Sequence, residues 1–262
     1  MSVLTISKKI YYGIFACLFT LLCTQITTFI YLYKKSAGIE VTSQDVAVTS
    51  KNVNTYIDEY FEIIHRKQIS ALYDKYSLAE DGLTTDKRVY GSTNARFTLS
   101  EFSDIECGYC KKFHPVPKSI VDNSNGIINW EWNHLPLPMH NPAAFMEAHA
   151  TECARSIKGN KAFWVYTEQL FQRTKGNGNG AGDLVEIADY VGIDKNLFEQ
   201  CMKDGRHREL LAAQVQKAES LNINSTPSTF LIDNNSGSVI PIEGQVTADS
   251  VMTAIQNHVG NK

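Results

Sequence analysis

The apolar and polar positions of this chain change rhythm several times. From Ile10 to Tyr33 there is no charged residue, with Lys8 and Lys9 before the run and Lys34 and Lys35 after it. As a helix the run would extend about 36 Å, enough for a hydrocarbon core of about 30 Å, which predicts a membrane anchor over residues 1–35. A cleaved signal peptide is the alternative, but the run is long for one and no small-x-small site follows it. Cys23 follows bulky Leu22, unlike a lipoprotein signal, so Cys17 and Cys23 read as ordinary residues of the span. Residues 36–49 are small and polar, a linker. Then Val53, Tyr56, Ile57, Tyr60, Ile64, Leu72, Tyr73 and Tyr76 recur at three- and four-residue spacing, predicting one or two amphipathic helices within the segment 36–86.

Beyond residue 87 the period shortens. Lys87 to Phe102 predicts the first strands, and Ile127 to His134, IINWEWNH, alternates as a strand does. Between them Cys107 to about Asn123 predicts a helix, kinked where Pro115 and Pro117 interrupt it, so that strand, helix and strand form a parallel crossover unit. From Pro142 to about Leu221 the pattern is helical apart from KGNGNGAG at 175–182. That loop lacks the Gly-Lys-Ser/Thr of a phosphate cradle and reads as a connector, with Asp183 capping the next helix. Ser228–Asp233 and Ser238–Ile242 flank a tight turn at Asn234–Gly237, a hairpin, and Thr247–Val259 predicts a closing helix with Thr247 as its cap.

Composition narrows the picture little further. The chain has 262 residues, 43% of them hydrophobic, enough for one sizeable core. A net charge of −3 supplies no basic footprint for nucleic acid.

The chemistry concentrates in Phe102–His114, FSDIECGYCKKFH. Two thiols two residues apart, Cys107 and Cys110, can close a switchable disulfide on the first turn of a helix, with the first sulfur exposed and the second beneath it. Ser103, Asp104 and Glu106 suit a helix N-terminus, where unpaired amides favour the Cys107 thiolate, the species that attacks disulfides. Half of a zinc site is the competing reading, but Cys153 and Cys201 stand far from the pair and from each other in sequence, and no metal is expected. His114 could tune the pair from its helix; solvated helix surface is the plainer reading. Downstream, NSTPSTFLID at 224–233 opens an apolar strand on a proline, Pro227, which cannot donate to a sheet ladder.

EFSDIECGYCKKFHP, HLPLPMHNPA, ATECA and STPSTFLID follow one another in the order found in DsbA-like thiol-disulfide oxidoreductases of the bacterial envelope, and from about Arg88 onward the chain resembles that family. The resemblance implies an α/β thioredoxin fold over 87–262 with a helical insertion at about 142–221. It implies Cys107 as the attacking and Cys110 as the resolving thiol. Pro227 would be the cis-proline facing them, and Gly108, Tyr109 and Thr226 would share with it the holding of an extended peptide. Glu101, six residues before Cys107, occupies the place where the family carries a buried proton-transferring acid; an edge-strand carboxylate is the plain alternative. Cys153 and Cys201 are implied as a structural disulfide, whose loop closure would stabilise by about 4 kcal/mol on a chain-entropy argument, against two separate buried thiols.

No cofactor is implied. The partners would be cysteine-containing envelope proteins and a membrane redox partner, with the N-terminus cytoplasmic and the catalytic domain in the periplasm, held at the inner membrane by a single span. A homo-oligomer through residues 51–76 would follow if the chain shared the architecture of disulfide isomerases. Gly108-Tyr109 resembles the dipeptide of DsbC-type isomerases, whereas the helical insertion resembles DsbA. A non-catalytic, membrane-tethered scaffold with the same fold is the alternative from another class.

Overall fold

The structure, a computed structural model, describes residues 43–81, 87–242 and 246–260 together with positions 21, 24, 25, 28, 29 and 32. Most of the anchor predicted over residues 1–35 and the linker up to residue 42 therefore lie outside the described residues. Among those described, no helix is long and apolar enough to cross a membrane.

The chain divides into two units, Met1–Arg66 and Lys67–Lys262. Helix α1 is a single helix, Ser43–Asp74, so residues 43–49, expected as linker, are helical instead. Its apolar stripe has two fates. In the first unit Tyr56, Tyr60 and Ile63 are exposed, whereas in the second Leu72 and Tyr73 pack against the core and Tyr76 is buried within it.

The second unit is built on a five-stranded sheet, β1 (Arg88–Tyr90), β2 (Phe97–Ser103), β3 (Ile128–His134), β4 (Ser228–Asp233) and β5 (Ser238–Ile240), in the order β1-β3-β2-β4-β5. β2 and β3 run parallel, from Phe97 opposite Ile128 to Ser103 opposite His134, and the other pairs are antiparallel. The crossover between them holds α2 (Gly108–Phe113) and α3 (Pro115–Asp122), broken at the expected proline. β4 and β5 form the hairpin, with Gly237 in the left-handed region at φ 71°; β5 stops at Ile240, before Pro241, which has no N–H for the ladder.

Every residue of β3 is buried, although its sequence alternates. Helices pack on β3 from α3 and from the later helical block, and a strand covered on both faces must satisfy its polar side chains internally. Asn129 donates to the Ser92 carbonyl at 2.7 Å, Lys87 donates to Glu131 at 3.0 Å, and Asn133 donates to Ser100 at 3.1 Å.

Between β3 and β4 the chain inserts α4 (Ala143–Lys158), α5 (Asn160–Arg173), α6 (Leu184–Tyr190), α7 (Lys195–Asp204) and α8 (Arg208–Ser220). Asp183 caps α6 by accepting from the amides of Val185 and Glu186 at 2.9 and 3.1 Å, as its position predicted. α9 (Ala248–Gly260) closes the fold, Thr247 accepting from the Ser250 amide at 3.1 Å. Trp130 and Trp132 from β3 meet Trp164 and Phe163 from α5 in the core, with the Trp130 and Trp164 rings 4.4 Å apart. Aromatic side chains of this size each remove about 150–250 Å² from water, and they tie the inserted helices to the sheet.

Candidate active site

The strand-to-helix turn after β2 sets the site. Cys107 itself is the N-cap of α2, in extended conformation at φ −80° and ψ 121°, and no side chain caps that helix. Ser103 is the last residue of β2, and Asp104 makes no cap to the helix. Its carboxylate accepts from the amides of Glu106 and Leu137, each at 2.9 Å, and lies 2.7 Å from His140 Nδ1, which pins the turn.

Both thiols are unbridged and more enclosed than expected: Cys107 is 6% exposed and Cys110 is fully buried. The Cys107 sulfur lies 3.5 Å from the Thr226 carbonyl oxygen, beside a cis Thr226-Pro227 peptide, which brings the two distant motifs face to face. Hydrogen bonding from the Cys110 thiol, reinforced by the amides of Cys110 and Tyr109, outweighs burial and lowers the Cys107 pKa to about 5. Burial acts in the opposite direction on Cys110, whose thiol is held well above its ordinary range. The pair is thus split into a ready thiolate and a thiol that keeps its proton.

Glu101 lies on the central strand β2, not at an edge, opposite Trp132 of β3 and Thr229 of β4. It is fully buried, and neither carboxylate oxygen has a hydrogen-bond partner among the described residues. Burial pushes its pKa up to about 8, against weaker lowering by the Ser103 hydroxyl and the Trp130 indole. The same Ser103 hydroxyl also works against the rise of the Cys110 thiol, more weakly than burial.

A groove of about 810 Å³ opens beside the pair, lined by Tyr109, Phe113, Val116, Ile120, Pro227 and Val246 among others. Tyr109 is 75% exposed at its mouth. Gly108 stands over open space, with nothing within 4 Å of where a Cβ would lie.

His114 departs from the expectation of a solvated helix surface. It is buried, its ring 4.7 Å from that of Phe171 and 5.1 Å from that of Trp130, with Nε2 3.3 Å from Tyr76 Oη. Burial drives its pKa down to about 3, so it is a neutral part of the aromatic core.

Two acids that the sequence did not single out for this role hold the glycine-rich loop against the site. Glu106, immediately before Cys107, accepts from the Thr174 hydroxyl and from the Gly180 amide at 3.0 Å, while its carbonyl accepts from Asn177 at 2.9 Å. Glu147 accepts from the next amide, Ala181, at 2.7 Å; burial and the nearby Glu106 raise its pKa to about 8. Such pairing between a turn and a loop about 70 residues away leaves no periodic signal. Remote from all this, Cys153 of α4 and Cys201 of α7 form a buried disulfide, with Cα atoms 5.8 Å apart.

Residues 83–257 match the thioredoxin family model. The structure resembles that of DsbA2 from Pseudomonas aeruginosa, at 34% identity and a TM-score of 0.59 over 68% of this chain and 96% of that one. It shares its fold with BdbD of Bacillus subtilis, at 20% identity and a TM-score of 0.52 over 70% and 98% of the two chains. Among curated proteins, the Na(+)/H(+) antiporter NhaA 3 of Salinispora tropica is 30% identical over 144 residues, 55% of this chain but 21% of the antiporter. The chain therefore spans about a fifth of the length of the antiporters it matches. The disulfide bond formation protein D of Bacillus subtilis is 23% identical over 154 residues, 55% of this chain and 67% of that protein. The chain belongs to the thioredoxin family, in its branch of DsbA-like thiol-disulfide oxidoreductases.

Proposed function

We propose that the chain exchanges disulfides with cysteine-containing proteins of the bacterial envelope through Cys107 and Cys110. The observation that carries this is the opposite perturbation of two adjacent thiols beside the cis-proline: Cys107 is lowered to about 5 while Cys110 is raised. The Cys107 thiolate attacks a substrate disulfide, or a substrate thiolate attacks Cys107 when the pair is oxidised. Cys110 resolves the mixed disulfide once its proton is removed, and Glu101 is the acid that accepts it by way of Ser103. Thr226, Pro227, Gly108 and Tyr109 hold the peptide, with its apolar side chains in the adjoining groove.

A thiolate stabilised this strongly favours the dithiol form, which makes the pair an oxidant or isomerase and not a reductant. The restoring partner is a redox protein of the membrane, and residues 1–35 tether the catalytic domain on the periplasmic side of the inner membrane. Self-association through residues 51–76 is the way such an enzyme would present two sites to one substrate.

The test is the reduction potential of the pair, equilibrated against glutathione and read by alkylation and peptide mass. A value at or above about −180 mV supports oxidation or isomerisation; about −270 mV would overturn that direction. Cys110→Ser is expected to accumulate mixed disulfides with envelope proteins, and Cys107→Ser to accumulate none.

A further inference from the structure

Away from the exchange site, one group of donor atoms is dense enough to hold a metal. His149 and Cys153 lie one turn apart on α4, facing Cys201 on α7, and one ligand atom from each falls within 4.8 Å of the other two. All three residues are buried, and His149 Nε2 lies 4.0 Å from the Cys153 sulfur. His207, in the turn between α7 and α8, sets its ring 5.8 Å from that of His149. It is only partly buried, so the cluster reaches the surface there.

Two sulfurs and two imidazoles, spaced His-x₃-Cys and Cys-x₅-His, are the donor set of a closed tetrahedral zinc site. With Zn–S of about 2.3 Å and Zn–N of about 2.0–2.1 Å, such a tetrahedron has an S···S edge of about 3.8 Å and an N···S edge of about 3.5 Å. The His149-to-Cys153 distance of 4.0 Å is already close to that edge. The sulfurs are joined to each other here, so the two uses of the site exclude one another.

We propose that the Cys153–Cys201 pair is a redox-gated zinc site, in which reduction of the disulfide allows His149, Cys153, Cys201 and His207 to bind one zinc ion. A dithiol supplies two electrons and two protons, leaving with its own disulfide as the Cys153–Cys201 bond breaks. Zinc then displaces the two thiol protons and forms two Zn–S and two Zn–N bonds without changing oxidation state. Exchange with a disulfide, which takes the two electrons and two protons and leaves as two thiols, re-forms the Cys153–Cys201 bond and ejects the ion. The site is independent of Cys107 and Cys110.

The experiment uses the full chain in detergent, in a Cys107→Ser, Cys110→Ser background, reduced anaerobically with a phosphine and titrated with cobalt(II) and then zinc(II). The reduced protein is expected to show tetrahedral cobalt bands with a sulfur charge-transfer absorption, abolished by one equivalent of zinc, and the oxidised protein none. His149→Ala and His207→Ala, each checked for folding while the disulfide is intact, are expected to weaken zinc binding at least about tenfold. Adding Cys153→Ser and Cys201→Ser should remove the site. Equal binding by oxidised and reduced protein, no binding after reduction, unchanged affinity in both histidine variants, or binding that survives loss of Cys153 and Cys201 would each overturn the proposal. If reduction melts the helical block, zinc should restore its circular dichroism in the parent and not in His149→Ala; no restoration in the parent counts against the site.

Discussion

Glu101 and Glu152 are hidden to the same depth and treated in opposite ways, 0% and 1% exposed. Glu152 accepts from Arg88 Nε and Nη2 at 2.5 and 2.8 Å and lies 3.0 Å from His134 Nε2. Trp132 donates its indole N–H to Nδ1 of that ring at 3.0 Å, which leaves the ring proton on Nε2, aimed at Glu152. Burial alone would raise Glu152, but the His134 bond and the Arg88 charge outweigh it and hold the carboxyl well below its usual range. Glu101 has no such company, and burial raises its pKa to about 8. Depth therefore does not decide the fate of a buried acid; the set of partners does. The scaffold fixes one charge permanently, and the site leaves the other acid able to gain or lose its proton near neutrality.

The contrast can be broken most forcefully at Glu152. Glu152→Gln removes the carboxylate from beside the buried guanidinium of Arg88, and a loss of about 3–5 kcal/mol is expected in denaturant titrations. Glu101→Gln should do the reverse. An acid whose pKa is raised by folding costs stability once the unfolded chain ionises, so the cost grows from about pH 4.5 to about pH 8 and then levels. The variant should be more stable than the parent by roughly 4 kcal/mol at pH 8 and no more stable at pH 4. A uniform gain across that range would mean that the charge of Glu101 is not the reason.

A sharper version follows the proton. Resolution of mixed disulfides should accelerate as pH rises through about 8 in the parent, and lose that rise in Glu101→Gln while Cys107 still ionises near pH 5. Stopped-flow measurement over pH 5–9 separates the two groups, and a profile unchanged by the substitution would remove Glu101 from the mechanism. The smallest effect belongs to Lys87→Met, which loses a mostly solvent-exposed amine from Glu131; a change below about 1 kcal/mol is expected.

These same residues mark what could be read in advance. Cys107, Cys110 and Pro227 announce themselves because their chemistry is local: a two-residue spacing, and a proline at the head of a strand. The kink at Pro115, the cap at Asp183 and the helical block are equally local. Glu152 was invisible, since Arg88 and His134 meet it from two different strands. His114 reads as solvated helix surface because its burial depends on Phe171 and Trp130 arriving from elsewhere in the chain. β3 looked half-polar for the same reason, its Asn and Glu side chains being answered only by residues far along the chain.

The outermost strands, β1 and β5, are only three residues long, and Pro241 follows β5 directly. Exposed main-chain donors and acceptors at a sheet margin invite a stray extended chain to join, and short margins ended by proline give it little to grip. For the disulfide exchanger proposed above, such margins would limit strand-to-strand association with the extended chains it handles.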